Sequence, residues 1–138
     1  GTILLGLDNQ TEDDIKRLID FLLDIDLDLA EFTVLSPFPH TKAYDDLLRQ
    51  GRIFDHDWDH YNAGQVVYQP AHMSPEKLQE LYDYAWSTFY KDESQEEKMT
   101  RLFIKVMMRE MEDGTWVPRD RRLINKSFGK DIVRTIGR

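Results

Sequence analysis

The sequence predicts an α/β fold with parallel strands. Three observations carry this reading: an apolar run at residues 2–7 (TILLGL), an amphipathic segment over residues 12–23, and a second apolar run at residues 29–35 (LAEFTVL). Strand, helix, strand with short turns is a βαβ unit. Parallel strands need such a crossover, and the crossover is right-handed.

Taken in order, residues 2–7 read as a buried strand bounded by glycine. The turn DNQTEDD follows. Thr11 is a good N-cap with Asp14 three residues on, as in a capping box, and Glu12, Asp13 and Asp14 suit the positive end of a helix. Ile15, Leu18, Ile19, Leu22 and Leu23 then form one helical stripe. The strand at residues 29–35 stops at Ser36-Pro37-Phe38-Pro39. Residues 41–50 read as a short helix closed by Gly51, and residues 52–64 as loop. Residues 65–69 (QVVYQ) read as a third strand ended by Pro70. Ser74-Pro75-Glu76 is a strong helix start, and Leu78, Leu81, Tyr82, Ala85, Trp86, Phe89 and Tyr90 keep helical spacing. Residues 95–112 predict another helix, with Met99, Leu102, Phe103, Val106 and Met107 on one side, ended by Gly114. A basic helix is expected over residues 120–136.

Composition narrows the function classes. The chain has 138 residues, 41% apolar and 32% charged, and no cysteine. Disulfides, thiolate metal sites, a cysteine nucleophile and a cysteine-held iron–sulfur cluster are therefore excluded within it. No apolar run reaches the ~20 residues of a membrane-spanning helix, and no signal peptide is visible, so a cytoplasmic protein is expected. Residues 1–92 hold 7 Lys/Arg against 18 Asp/Glu, while residues 93–138 hold 11 against 8. The acidic part repels nucleic acid, and no nucleic-acid partner is expected.

A parallel sheet needs cover on both faces or closure into a barrel. Two or three strands provide neither, and a (β/α) barrel takes ~250 residues. The predicted fold is thus a fragment of a partial (β/α) barrel at residues 1–91 with two or three mostly parallel strands, followed by a helical C-terminal extension at residues 92–138. The opening Gly1-Thr2 leads straight into a strand, which reads as the middle of a longer protein. The expected partner is the missing N-terminal half of that protein, with self-association through the exposed strand edge as another outcome.

Particular motifs strengthen this view. Gly6-Leu7-Asp8-Asn9-Gln10-Thr11-Glu12 resembles the strand-plus-turn motif of radical SAM enzymes. Thr33-Val34-Leu35-Ser36-Pro37-Phe38-Pro39-His40-Thr41 is similar to their next strand and loop. Trp58, Tyr61, Val66-Val67 and Met73-Ser74-Pro75-Glu76 resemble the subgroup with a cobalamin-binding domain. The resemblance covers residues 1–91. It implies an oxidoreductase or methyltransferase-type parent that uses S-adenosylmethionine, a [4Fe–4S] cluster and cobalamin. The cluster loop is absent here, so this portion is expected to be inactive alone. The alternative is a self-standing α/β binding or interaction module. An acid–base enzyme using Asp8 and Glu31 has no supporting spacing.

The resemblance also implies site residues. Leu4, Leu5, Gly6 and Leu7, with Val34 and Leu35, are expected beside the adenine of S-adenosylmethionine. A flat apolar slot with backbone donors and acceptors suits adenine, and Gly6 permits close approach. Asn9 can take a left-handed turn position, and Gln10 keeps hydrogen bonding where the family carries a charge. Ser36, Pro37, Phe38 and Pro39 are expected on the substrate side, at the strand's carboxyl end. His56 and His60 among Asp55, Asp57 and Asp59 have the spacing of zinc ligands if helical. The segment reads as loop, however, and no metal is assigned. Ser36 has no partner His and Asp at informative spacing, and no catalytic residue is assigned.

Overall fold

The computed structural model describes residues 1–115, so the basic helix expected over residues 120–136 lies outside the described residues. The chain divides into two compact units, Gly1–Met99 and Thr100 onward.

The first unit is α/β. Strand β1 (Thr2–Leu5) leads through a turn into helix α1 (Glu12–Asp24), then strand β2 (Glu31–Val34) and helix α2 (Lys42–Arg49). A single 3-10 turn at Trp58–His60 precedes helix α3 (Pro75–Phe89). Strands β1 and β2 pair in parallel, Thr2 beside Glu31 and Leu5 beside Val34. The predicted βαβ unit is therefore present, and the described fold is mixed α/β with a two-stranded parallel sheet and four α-helices.

The helices start where side chains can satisfy their first N–H groups. Thr11 Oγ1 accepts from Asp14 N at 3.3 Å, and Asp14 Oδ2 accepts from Thr11 N at 2.9 Å, a complete capping box. The Asp14 carboxyl is held down to about 2, first by its hydrogen bond from the Thr11 hydroxyl. Ser74 Oγ accepts from Lys77 N at 3.2 Å, with Pro75 in the first turn. Thr41 caps α2, and Gly51 at φ 66° ends it in the left-handed region.

Strand alternation divides the sheet into two unlike faces. Leu5, Phe32 and Val34 are buried with Ile3 packed against them, while Thr2, Leu4 and Glu31 of the opposite face are exposed. Helix α3 packs on β2 and α1 packs on α3. Ile15, Ile19, Leu22, Leu78, Leu81, Ala85 and Phe89 close the core from the helix side. Tyr90 ties α3 to the entry of β2, since its hydroxyl donates to Ala30 O at 2.6 Å and accepts from Ala30 N at 3.2 Å.

Two expectations need correction. Residues 65–69 are not a third strand: they make one antiparallel bridge, Ile53 with Tyr68, and Val67 and Tyr68 are buried in the core. Burial of consecutive side chains makes a strand-like sequence without a ladder to join. The left-handed residue of the turn after β1 is Gly6, at φ 90°, rather than Asn9.

Helix α4 (Gln95–Glu112) continues into the second unit and ends at Gly114, φ 65°. Ser94 Oγ accepts from Glu97 N and Glu97 Oε2 accepts from Ser94 N, a second capping box. None of its residues is buried. No helix among the described residues is long and apolar enough to cross a membrane.

Candidate functional site

Ligands of open parallel sheets bind beyond the carboxyl ends of the strands. Two loops lie there, Gly6–Thr11 after β1 and Leu35–Thr41 after β2.

The first loop is fixed from behind. Tyr68 is buried and its hydroxyl donates to Gly6 O. A Cβ at residue 6 would stand 2.3 Å from that hydroxyl and 2.7 Å from Leu78 Cδ2, and φ is 90°, so glycine is required on both counts. Burial pushes the Tyr68 hydroxyl upward in pKa, which keeps it a donor. Asp8 joins Arg52 through two hydrogen bonds, at 2.5 and 2.8 Å. The Arg52 hydrogen bond is the largest influence holding the Asp8 carboxyl below its ordinary range. Arg52 also donates to Gln69 O at 2.7 Å, which anchors the turn to the 52–69 segment.

Gln10 closes this loop from the front. Its Oε1 accepts from Gly6 N at 2.8 Å and from Leu7 N at 3.0 Å, and its Nε2 donates to Leu4 O at 3.3 Å. Glu31 N donates to Gly1 O, and Leu35 N, just past β2, donates to Leu5 O, so Leu4 O belongs to the other edge of β1. One carboxamide thus covers an acceptor and two donors at the outer carboxyl end of β1.

The second loop meets residues 61–64. Val34 N donates to Ala63 O at 2.7 Å, and Ala63 N donates to Ser36 Oγ at 3.1 Å. Between these bonds Ala63 sits at φ 62°, and His40, in the same loop as Ser36, sits at φ 64°. Such conformations are uncommon without glycine. Pro37 is buried and Phe38 is 53% exposed. From Phe38 a strip of rings runs outward: Phe38 to Tyr61 at 6.5 Å between centroids, Tyr61 to Trp58 at 4.8 Å, Trp58 to Tyr44 at 6.3 Å. Tyr61 is buried beneath it, and its hydroxyl donates to Asp55 O at 2.7 Å.

Asp55 also bonds His60, Oδ2 to Nδ1 at 2.7 Å. That hydrogen bond raises the imidazole pKa, and the Asp55 carboxyl is lowered, first by the N–H of Asp57 and then by His60. His60 therefore pairs with a carboxylate, and among the described residues no group of three or more His, Asp or Glu is arranged to hold a metal ion.

The residues expected beside adenine do not act alike. Leu4 is 40% exposed and Leu7 is exposed at the outer end of β1, beside the buried Gly6 and the half-buried Gln10. Leu5 and Val34 point into the core, while Leu35 is half-buried and its N–H donates to Leu5 O. Of the substrate-side residues, Ser36 braces Ala63, Pro37 packs inward, and Phe38 and Pro39 face solvent. An open groove of about 400 Å³ lies elsewhere, lined by Phe54, Val66, Pro75 and Gln79 with carboxylates of α3, and touches none of them. Sequence reading missed the Asp8–Arg52 pair, 44 residues apart, the Tyr68 bond to Gly6, 62 residues apart, and the Tyr44–Trp58–Tyr61 strip.

No protein-family model matches the chain. It is similar to an uncharacterized methyltransferase of Pyrococcus horikoshii, 24% identical over 90 residues that make up 65% of this chain and 20% of that protein. It is also similar to two proteins of Chlorobaculum tepidum. One is bacteriochlorophyllide d C-12(1)-methyltransferase, 28% identical over 59% of this chain and 18% of the relative. The other is bacteriochlorophyllide d C-8(2)-methyltransferase, 28% identical over 54% and 17%. The chain thus spans about a fifth of the length of the curated relatives it matches.

These comparisons correct the expected radical SAM enzyme of the cobalamin-binding subgroup. The relatives are named for methyl transfer, and none for iron–sulfur, radical or oxidoreductase chemistry. This chain has no cysteine, and the described residues offer no metal-holding cluster. The [4Fe–4S] cluster and cobalamin are withdrawn with that assignment. The motifs misled because a glycine turn after a parallel strand is demanded by backbone packing at Gly6, whatever reaction the sheet serves.

Proposed function

We propose that this chain is part of an S-adenosylmethionine-dependent methyltransferase and that the outer carboxyl end of β1 takes the adenine of the methyl donor. The observation that carries the reading is the Gln10 carboxamide on Leu4 O, Gly6 N and Leu7 N. Adenine presents an N6–H donor beside a ring-nitrogen acceptor, the same pairing a carboxamide presents. The residues present therefore fit the group. Leu4 O would accept from N6–H, and the Gly6 and Leu7 N–H groups would donate to the ring nitrogen. The exposed Leu4 and Leu7 side chains supply an apolar border, with Leu5, Val34 and Leu35 holding the strand ends in place.

S-adenosylmethionine supplies an electrophilic methyl group, and its transfer to a nucleophilic acceptor leaves S-adenosylhomocysteine. This chain's part is to bind and orient. Ser36, Pro37, Phe38 and Pro39 border the acceptor side.

The uncovered sheet face and the open outer edge of β1 belong, in this reading, to a larger parallel sheet, with residues 1–91 as one stretch of a partial (β/α) barrel. The remainder of a longer protein supplies the neighbouring strands. A two-stranded sheet is otherwise marginal, and the share of the relatives' length that this chain covers agrees with that.

Calorimetric titration of the chain with S-adenosylhomocysteine tests the adenine site. The expected result is binding that weakens about tenfold, the worth of roughly 1.4 kcal/mol, when the N6 amino group is replaced by oxygen in S-inosylhomocysteine. Equal binding of the two, or none of either, overturns the reading.

A further inference from the structure

We propose that the Phe38–Tyr61–Trp58–Tyr44 strip is a stacking site for a flat conjugated ring that carries positive charge. The strip is separate from the adenine edge; it shares Phe38 with the residues placed on the acceptor side, and it is argued from the exposed rings alone. Phe38 and Trp58 are each 53% exposed although both touch Tyr61. Aromatic rings left half in water at the carboxyl end of a parallel strand offer faces on which a planar ligand removes apolar surface from solvent. The strip is held rigid, because Tyr61 is buried and its hydroxyl is tied to Asp55 O. Pro37 and Pro39 flank Phe38, and the Thr41 hydroxyl donates to Phe38 O at 2.6 Å. A preformed platform loses little conformational freedom on binding.

The charge of the ligand follows from the rim. Trp58 stands between two exposed carboxylates, Asp57 and Asp59, in one 3-10 turn, and Asp45 follows Tyr44 on α2. The surrounding residues 1–92 carry a large acidic excess. Carboxylates around electron-rich ring faces attract a cationic planar group and repel an anionic one.

The test is fluorescence titration of the whole chain with two tricyclic probes of the same shape, cationic proflavine and anionic acridine-9-carboxylate, at low salt. The expected result is that proflavine binds at least about tenfold more tightly than the carboxylate. Trp58→Ala and Phe38→Ala should each weaken proflavine about tenfold, within the range measured for ring stacking. Phe21→Ala, which removes a 56%-exposed ring on α1, should leave binding unchanged. Circular dichroism confirms that each variant is folded, and two strip variants are used so that loss of one fold leaves the other. No proflavine binding, equal binding of the carboxylate, or an equal effect of Phe21→Ala overturns the proposal.

Discussion

Two aromatic clusters in this molecule have similar ring spacings and opposite fates. In the first, Phe32 meets Trp86 and Phe89 edge-on, each at 5.7 Å, and Trp86 stacks on Tyr90 at 5.5 Å. These rings lie between β2 and α3, and Phe32 and Phe89 are almost wholly buried. In the second, Phe38, Tyr61, Trp58 and Tyr44 come from two loops and a short helix, and two of the four rings stay half in water. The first cluster arises because helical spacing brings Leu78, Leu81, Ala85 and Phe89 onto one side that the sheet can cover. No opposing element among the described residues covers Phe38 and Trp58. The difference teaches where apolar surface serves stability and where it remains available to a ligand.

The largest expected effect lies in the covered cluster. Phe89→Ala should lower unfolding free energy by about 3–5 kcal/mol, the usual cost of removing a buried ring, measured by urea titration. A loss under about 1 kcal/mol would show that this ring does not hold α3 to β2. Gly6→Ala should come next. Its positive φ costs about 1–2 kcal/mol, and overlap with Tyr68 and Leu78 adds about 1–3 kcal/mol. Tyr68→Phe, which leaves Gly6 O without its donor, should cost about 1–3 kcal/mol and should loosen the turn that Gln10 closes. By contrast Trp58→Ala should change stability by no more than about 0.5 kcal/mol, as for an ordinary surface substitution. A larger loss would place Trp58 with the covered rings and undo the comparison.

The smallest effect is electrostatic. His60 has its pKa raised by Asp55, so the contribution of the charged imidazole is present below the unfolded value of about 6.5 and is lost as pH rises through the raised value. Asp55 is lowered, so its contribution is present above the unfolded value of about 3.9 and is lost as pH falls. The pair therefore contributes most between these two limits. Proton NMR should find His60 titrating above 6.5, and Asp55→Asn should bring it down toward the ordinary value. An unchanged midpoint in that variant would mean the carboxylate does not orient the ring.

Much of the first cluster was legible in the sequence, because it rests on local rules. Thr11 with Asp14 and Ser74 with Pro75 marked two helix starts, and helical spacing marked the α3 stripe. Apolar runs broken by Gly6 and Pro37 marked the ends of the parallel strands. The Val66-Val67-Tyr68 run misled because buried loop residues and buried strand residues have the same composition. Gly6 was legible as a point of close backbone approach, but its left-handed turn conformation and its partner Tyr68 were not. The site contacts were mostly illegible: Arg52 reaches Asp8 across 44 residues and Ser36 reaches Ala63 across 27. Such pairings depend on where the loops meet, which no periodicity encodes. The reaction class was misjudged because the strand-and-turn motifs report backbone geometry shared by many parallel sheets.

The most direct test of the account is an amide NMR titration of the chain with S-adenosylhomocysteine. The Gly6 and Leu7 N–H signals and the Gln10 side-chain NH₂ signals should shift together and saturate with one dissociation constant, as adenine takes over the contacts that the carboxamide now makes. If S-adenosylhomocysteine binds while those three sets of signals stay in place, or if it does not bind, the outer end of β1 is not the adenine site.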